Sequence, residues 1–366
     1  KIINIDGEEW LLYKRFPIDV ALIRGTVADE NGNLTVDKEM GILEALPLAM
    51  AAKNSGGIVI AQAEYIAQRN TLHPKDVRVP GVLVDYVVIG RPENHLQTQV
   101  TYFNPGLSGD IRVPVDRIPP LPLDAKKIIG RRAALELRPG AVVNLGVGIP
   151  AAVASVAAEE GVSDQFTLTT ELGVFGGVPA YGLDFGASYN SEAMIEHSSM
   201  FDFYDGGGLD VTFVGLAQVD RHGNVNVSKF ASAIPGCGGF IDITHKTRRI
   251  VFCGTFTAGG LEVAVDTSGV KVVKEGAIRK IVGDVEQVTL NGELAAAKGQ
   301  EILYVTERCV FKLTQEGPVL VEIAPGIDLE RDIISLVEFP IPVSEDLRTM
   351  DARIFQPGRM ELSKSF

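Results

Sequence analysis

Cysteine is scarce in these 366 residues: Cys237, Cys253 and Cys309 are the only three, and no two of them form a Cys-x-x-Cys pair. An odd, scattered set does not make a disulfide framework and suits a reduced, cytoplasmic protein. The five histidines, at 73, 95, 197, 222 and 245, show no metal-ligand spacing, so no metal site is expected. No apolar run reaches the roughly 20 residues that cross a bilayer, and the stretch "KIINIDGEEW" carries neither a basic n-region nor an apolar h-region. Basic residues are outnumbered 34 to 47, for a net charge of −13, which argues against a nucleic-acid surface. That balance still admits an anionic small ligand, because backbone N–H groups and a local basic cluster can hold one inside an acidic protein. Low-complexity tracts are missing too. What remains is a globular chain, 46% hydrophobic and long for a single core, so two domains are expected.

The chain repeats itself. "IDVALIRGTVADENGNLTV" (18–36) and "LDVTFVGLAQVDRHGNVNV" (209–227) share six identities in nineteen without a gap. Each reads as a buried strand, an Asp-x-x-Gly-Asn turn and a second short strand. A similar offset sets "GGIVIAQ" (56–62) over "RRIVFCG" (248–254), and two such matches indicate an internal duplication. The second copy is preceded by a long run from Ala125 that has no counterpart ahead of residue 18. The first domain is therefore expected to be N-terminally incomplete, with a longer chain or a partner chain completing it.

Between the copies lies "NPGLSGDIRVPVDRIPPLPLDAKK" (104–127), whose five prolines predict a linker or a strap across a surface. "KKIIGRRAALEL" then has helical periodicity, and "GAVVNLGVGIPAAVASVAAEEG" reads as strand, glycine turn and Ala-rich helix, with Pro150 near the helix start. "QFTLTTE" is the next strand. Strands alternating with helices predict an α/β fold of two tandem related domains, each a mostly parallel sheet covered by helices. The expected division is 1–103 for the C-terminal part of the first domain, 104–127 for the linker and 128–340 for the second domain. Polar, proline-interrupted residues 341–366 predict an irregular C-terminal arm.

Glu171 stands out. It ends the β-rich run Thr167 to Thr170, and glycines follow at 173, 176, 177 and 182 before the next charged residue, Asp184. A strand-end glutamate is ordinarily solvated or paired. A carboxylate among glycines has a sharper use: it needs no general base to act as a nucleophile, and glycine backbone gives a substrate carbonyl room and N–H donors for the developing oxyanion. "GVGIPA" (146–151) fits G-x-G-x-x-A between strand and helix, and Glu171 follows Gly148 by 23 residues, near the spacing of a ribose-binding carboxylate. A Rossmann-like NAD-dependent dehydrogenase is thus one reading. Against it, Pro150 removes an N–H that would face phosphates, and a glycine loop rather than a helix follows Glu171. Two more glycine clusters, "IPGCGGFID" (234–242) and "CGTFTAGGLEV" (253–263), fall where a parallel sheet places its ligand crevice. Cys237 has no histidine or other base near it in sequence to make it a thiol nucleophile, and serves better as a small filler. "DFYDGGGLD" (202–210) lacks the D-x-D-x-D-G spacing of a cation loop and reads as a turn. "HKTRR" (245–249) is a solvated basic turn or, more sharply, a contact to an anionic cofactor. His222 and Asn224 lie in the "DRHGNVN" turn, which Gly223 and Asn224 suit by themselves.

Together the segments "DVALIRGTVADENGNLTV", "NLGVGIP", "ELGVFGGVPAYG", "FDFYDGGGLDVTFVGLAQVD", "GNVNVSKF", "GCGGFIDIT", "FCGTFTAGG", "TERCVFKL" and "EIAPGIDLERDI" resemble the class I coenzyme A transferases, in particular the acetate/propionate (short-chain acyl-CoA:carboxylate) branch. They span nearly the whole chain and are specific in combination. The resemblance implies two α/β halves with the active site between them, and a first half that begins well before the point matching Lys1. It implies that Glu171 is the nucleophile of a ping-pong transfer through an acyl-glutamyl anhydride and a glutamyl-CoA thioester, without a metal. It further implies coenzyme A contacts from Asn144, Leu145, Gly146, Val147 and Gly148, and from Gly238 and Gly239. Gly259 and Gly260 would bind the oxyanion and CoA, Asn224 would orient the glutamate, and the protein would be a homo-oligomer. A non-catalytic CoA-binding subunit is the other reading that the motifs leave open.

Overall fold

A computed structural model describes residues 1–114 and 120–366; residues 115–119 of the predicted linker lie outside the described residues. The chain divides into two compact units, Lys1–Gln97 and Thr98–Phe366. No described helix is long and apolar enough to cross a membrane.

The first unit holds a three-stranded parallel sheet in the order β1 (Val20–Arg24), β2 (Ile58–Ala63), β3 (Tyr86–Ile89). Strand alternation decides which face is core. Ala21, Ile23, Val59 and Ala61 point to one side and pack with Ala49 and Ala52 of helix α1 (Ala45–Asn54). On the other face Val20, Leu22, Tyr86 and Val88 are exposed by 50%, 74%, 60% and 52%.

The second unit is built on a ten-stranded sheet. In chain order its strands are β4 (Val142–Leu145), β5 (Thr167–Thr170), β6 (Val174–Phe175), β7 (Ala193–Met194), β8 (Val211–Gly215), β9 (Arg249–Cys253), β10 (Glu301–Val305), β11 (Cys309–Thr314), β12 (Gly317–Ile323) and β13 (Val343–Thr349). Across the sheet they run β7-β6-β5-β4-β8-β9-β10-β11-β12-β13, and the five from β5 to β10 are mutually parallel. Helices α2 (Ala125–Ala134) and α3 (Ala152–Glu160) bury one face with Val211, Phe213 and Val251. Helices α4 (His197–Asp205) and α5 (Phe240–His245) cover the other with Val214, Ile250 and Phe252. Strands apolar on both faces are what a two-sided parallel sheet requires.

The duplication is repeated in hydrogen bonds. Asp29 accepts from the backbone N–H groups of Asn31 and Asn33 and from the Asn33 side chain, whose own oxygen accepts from Gly81. Asp220 does the same with His222, Asn224 and the Asn224 side chain, which accepts from Gly292. The second sequence match is one residue out, however. Ile58 pairs with Val20 as Arg249 pairs with Val211, so Ile58 corresponds to Arg249 and not to Ile250. Runs of similar apolar residues slide past each other without penalty in sequence, whereas a one-residue slip in a sheet turns every side chain to the other face.

Both connecting segments pack against the body of the second unit. The described ends of the predicted linker are docked: Asn104 caps the short helix Pro105–Ser108, and Val113 exchanges hydrogen bonds of 2.8 and 2.7 Å with the Asn190 side chain. The expected irregular arm 341–366 contains β13, an edge strand on β12. Its residues Ile354, Phe355, Met360 and Leu362 are buried, and Arg131 of α2 donates to the carbonyls of Ile354, Gln356 and Gly358 at 2.9, 2.5 and 2.5 Å. Edge strands tolerate charge and proline nearby, so β13 lacks the apolar pattern that marks a central strand.

Candidate active site

Because β4, β5, β8, β9 and β10 run in one direction, the loops at their carboxyl ends share one edge of the sheet. Open α/β sheets bind ligands at that edge. Glu171 follows the last residue of β5 directly. The chain reverses at once: the Gly173 N–H donates to the Thr170 carbonyl at 3.1 Å, and β6 folds back antiparallel on β5. Gly173 has φ +102°, and a Cβ there would lie 2.1 Å from the Ile195 carbonyl oxygen, so this hairpin requires glycine.

The surroundings of the carboxylate come from two helices. Gly239 stands at the start of α5, and a Cβ added to it would sit 3.0 Å from Glu171 Oε2 and 2.6 Å from Phe201 Cζ. Gly239 therefore brings bare backbone against the carboxylate. His197, Phe201 and Tyr204 of α4 supply a second wall, with the His197 and Phe201 ring centroids 5.0 Å apart and those of Phe201 and Tyr204 5.9 Å apart. Burial pushes the Glu171 pKa up, and the charge of His197 pulls against that rise.

Beneath lies a closed set of buried hydrogen bonds. Asn144 Nδ2 donates to Tyr204 Oη at 3.2 Å, Tyr204 Oη donates to Thr169 Oγ1 at 2.8 Å, and Thr169 donates to the Val143 carbonyl at 2.9 Å. Thr212 Oγ1 donates to Asn144 Oδ1 at 3.0 Å. Burial drives the Tyr204 hydroxyl up to about 12, against these hydrogen bonds and with a further push from Glu171, so it stays protonated as a donor.

The residues singled out in the sequence separate into groups. Glu171 and Gly239 are brought together. Gly238 adjoins Gly239 with φ +53°. Gly146, Val147 and Gly148 leave the end of β4: Gly146 donates its N–H to Phe213 O and packs on β8, while Val147 is 65% exposed. Gly259 and Gly260 follow β9 through the short strand Thr257–Ala258, and the Gly259 carbonyl accepts from Ala277. Asn144, expected beside CoA, is instead buried, with its amide engaged by Tyr204 and Thr212. Asn224 belongs to the Asp220 turn; among the described residues no hydrogen bond links it to Glu171. "HKTRR" lies at the opposite edge, since β9 begins at Arg249, and Arg249 pairs there with Glu301 and Glu136. A cavity of about 550 Å³ lined by Arg138, Asp210, Arg248 and Arg249 opens at that edge, away from Glu171. Gly206–Gly208 make the turn between α4 and β8. His197, Phe201 and Tyr204 escaped the sequence reading, although their i, i+4, i+7 spacing is that of one helix face.

Comparison with known proteins points the same way as the motifs. A family model described as coenzyme A transferase matches residues 1–90. The caffeate CoA-transferase of Acetobacterium woodii is 53% identical over 361 residues, covering 97% of this chain and 69% of that protein. The acetate CoA-transferase YdiF of Escherichia coli (strain K12) is 43% identical over 360 residues, covering 98% of this chain and 68% of that protein. The crystal structure of the acyl-CoA transferase YdiF apoenzyme from E. coli O157:H7 superposes with a TM-score of 0.91 at 42% identity, over 99% of this chain and 68% of that one. A thioester complex of the same enzyme with CoA also gives 0.91, at 41% identity. With motifs, sheet topology and relatives in agreement over nearly its whole length, the chain belongs to the coenzyme A transferase family.

Proposed function

We propose that this CoA-transferase moves CoA between a short-chain acyl-CoA and a free carboxylic acid, with Glu171 as the nucleophile. The observation that carries the reading is the Glu171 carboxylate at the tip of β5, half-buried, with the bare backbone of Gly239 against it. A Glu171 oxygen attacks the thioester carbonyl, the C–S bond breaks, and CoA leaves as the thiolate, giving an acyl-glutamyl anhydride. The Glu171 carbonyl carbon then takes the thiolate, its bond to the acyl oxygen breaks, and the first acid departs, leaving a glutamyl-CoA thioester. An incoming carboxylate attacks that thioester and re-forms an anhydride; return of the thiolate to the new acyl carbon frees Glu171. A raised pKa makes Glu171 a better nucleophile while it is ionised. Backbone N–H groups of Gly238, Gly239, Gly259 and Gly260, on this sheet edge, are the donors for the tetrahedral oxyanions, each worth about 3–4 kcal/mol in acyl transfer. Gly146, Val147 and Gly148 are the proposed CoA contacts beside them.

Incubation with acetyl-CoA followed by intact mass spectrometry tests this. A CoA-sized adduct on the peptide carrying Glu171 is expected, and Glu171→Ala with undiminished activity overturns the reading. A second acid class has support of its own, because the 53% identical relative is named for caffeate. Acceptor rates with acetate and with caffeate decide between them.

We also propose that the first unit accepts a covering segment, supplied by a longer chain or a partner. Through the repeat, Val20 and Leu22 correspond to Val211 and Phe213, and Tyr86 and Val88 to Leu303 and Val305. In the second unit these positions lie under α2 and α3. In the first they are exposed.

A further inference from the structure

Beyond β10 the chain enters Glu307 and Arg308, both 0% exposed, and Lys280 beside them is 7% exposed. Ionised groups this deep are costly unless each is paired and hydrogen-bonded. The chemistry proposed for Glu171 uses none of the three. Lys280 and Glu307 each bond the backbone stretch 254–258, which leads into Gly259 and Gly260, and Arg308 stands over Phe256 of that stretch while bonding Glu307, Glu275 and the Asp332 carbonyl.

Lys280 Nζ donates to the Thr255 carbonyl at 2.7 Å, and the Phe256 N–H donates to Glu307 Oε2 at 2.9 Å. That carbonyl and that N–H belong to the same peptide unit. A buried cation therefore holds its negative end and a buried anion its positive end; a flip of the plane would set carbonyl against carboxylate and N–H against ammonium. Arg308 completes the grip. Its guanidinium bonds Glu307 at 2.7 Å and Glu275 at 2.8 Å, and stands 4.7 Å over the centre of the Phe256 ring. Glu275 in turn accepts from the Thr257 hydroxyl and the Gly276 N–H. The Gly254 N–H is held by the Val305 carbonyl, and the Gly259 carbonyl by the Ala277 N–H.

We propose that Lys280, Glu307 and Arg308 are positioning residues that lock the 255–256 peptide, and with it the direction of the N–H donors at Gly259 and Gly260, before substrate arrives. The inference rests on the reading of those glycines as the oxyanion segment of a Glu171 nucleophile. Neutral hydrogen bonds would suffice to hold a loop in place. Opposite charges at the two ends of one peptide add a fixed orientation, which is the requirement of a preorganised oxyanion site.

The test compares the enzyme with its Lys280→Met, Lys280→Arg and Glu307→Gln variants, following formation of the CoA adduct on Glu171 from acetyl-CoA together with kcat, KM and thermal unfolding. Lys280→Met is expected to slow adduct formation and lower kcat about tenfold or more, with KM for acetyl-CoA changed little. Lys280→Arg is expected to restore most of the rate. The pH profile gives an independent readout. Burial lowers the Lys280 pKa to about 8 against the opposing charge of Glu307, which is itself paired with Arg308 and through it with Glu275, so kcat is expected to decline above about pH 8 in the native enzyme and not in Lys280→Arg. Unfolding does not mimic this decline: a lysine pKa lowered by folding makes the fold more stable as pH rises from there. Adduct formation at the native rate in Lys280→Met, or an alkaline limb unchanged in Lys280→Arg, overturns the proposal. If Lys280→Met does not fold, Glu307→Gln, which keeps an acceptor for the Phe256 N–H, replaces it under the same criteria. Absence of any adduct in the native enzyme removes the Glu171 reading itself, and this inference with it.

Discussion

As the proposed nucleophile, Glu171 has to be ionised to attack and partly desolvated to attack well, and its neighbours set that balance. Burial raises its pKa while His197 opposes the rise. As pH falls through the raised value the carboxylate is protonated and the nucleophile lost, so kcat/KM is expected to decline on an acid limb above the ordinary glutamate range. His197→Gln removes the opposing charge and is expected to move that limb to higher pH, as measured by kcat/KM against pH. Glu171→Gln is expected to cost at least about a thousandfold in kcat, as loss of a covalent nucleophile does. Gly239→Ala is a finer probe. Gly239 has φ −80°, so alanine brings no backbone strain, and its methyl would meet the carboxylate and the Phe201 ring. A fall in kcat of about ten- to a hundredfold is expected from the displaced nucleophile. At this scale Glu171 drew attention in the sequence because a lone carboxylate among glycines is chemically odd. His197, Phe201 and Tyr204 were not, because aromatic residues on a helix look like core until the strand they face is known.

A strand needs backing to hold a side chain still at its tip. β5 is backed through Thr169, which links it by side-chain hydrogen bonds to Tyr204 of α4 and to β4. Tyr204→Phe leaves the Asn144 amide and the Thr169 hydroxyl without their shared partner, all of them buried. About 1–3 kcal/mol of stability is expected to go, read as a shift of the urea midpoint. The two aspartate turns were visible in sequence as Asp-x-x-Gly-Asn because the motif is local. Asn144 shows the opposite case: its place in "NLGVG" suggested a ligand contact, yet β4 pairs with β5 and β8, so its side chain meets Thr212 and Tyr204. The direction of a strand residue depends on register, which the peptide sequence does not state. The strand β13 was missed for a related reason, its partner being β12 and its outer side water.

At the scale of the molecule, the parallel α/β class followed from alternation of strands and helices, and the repeat from two matched segments. What covers each sheet did not follow. The uncovered face of the first unit predicts that Leu22→Asp leaves that unit folded but abolishes binding of a covering chain, a comparison made by circular dichroism and sedimentation. The second unit closes differently. Its last residues lie under α2, held by one guanidinium that reaches three carbonyls in succession. Those residues act as a bolt. Clipping the polypeptide before Ile354 would strip Arg131 of every acceptor named for it, leaving only the charges of Glu159 and Glu160 to offset its burial beneath the sheet that carries Glu171. A segment remote in sequence from Glu171 thereby becomes a point at which proteolysis would loosen the helix α2 that backs its sheet.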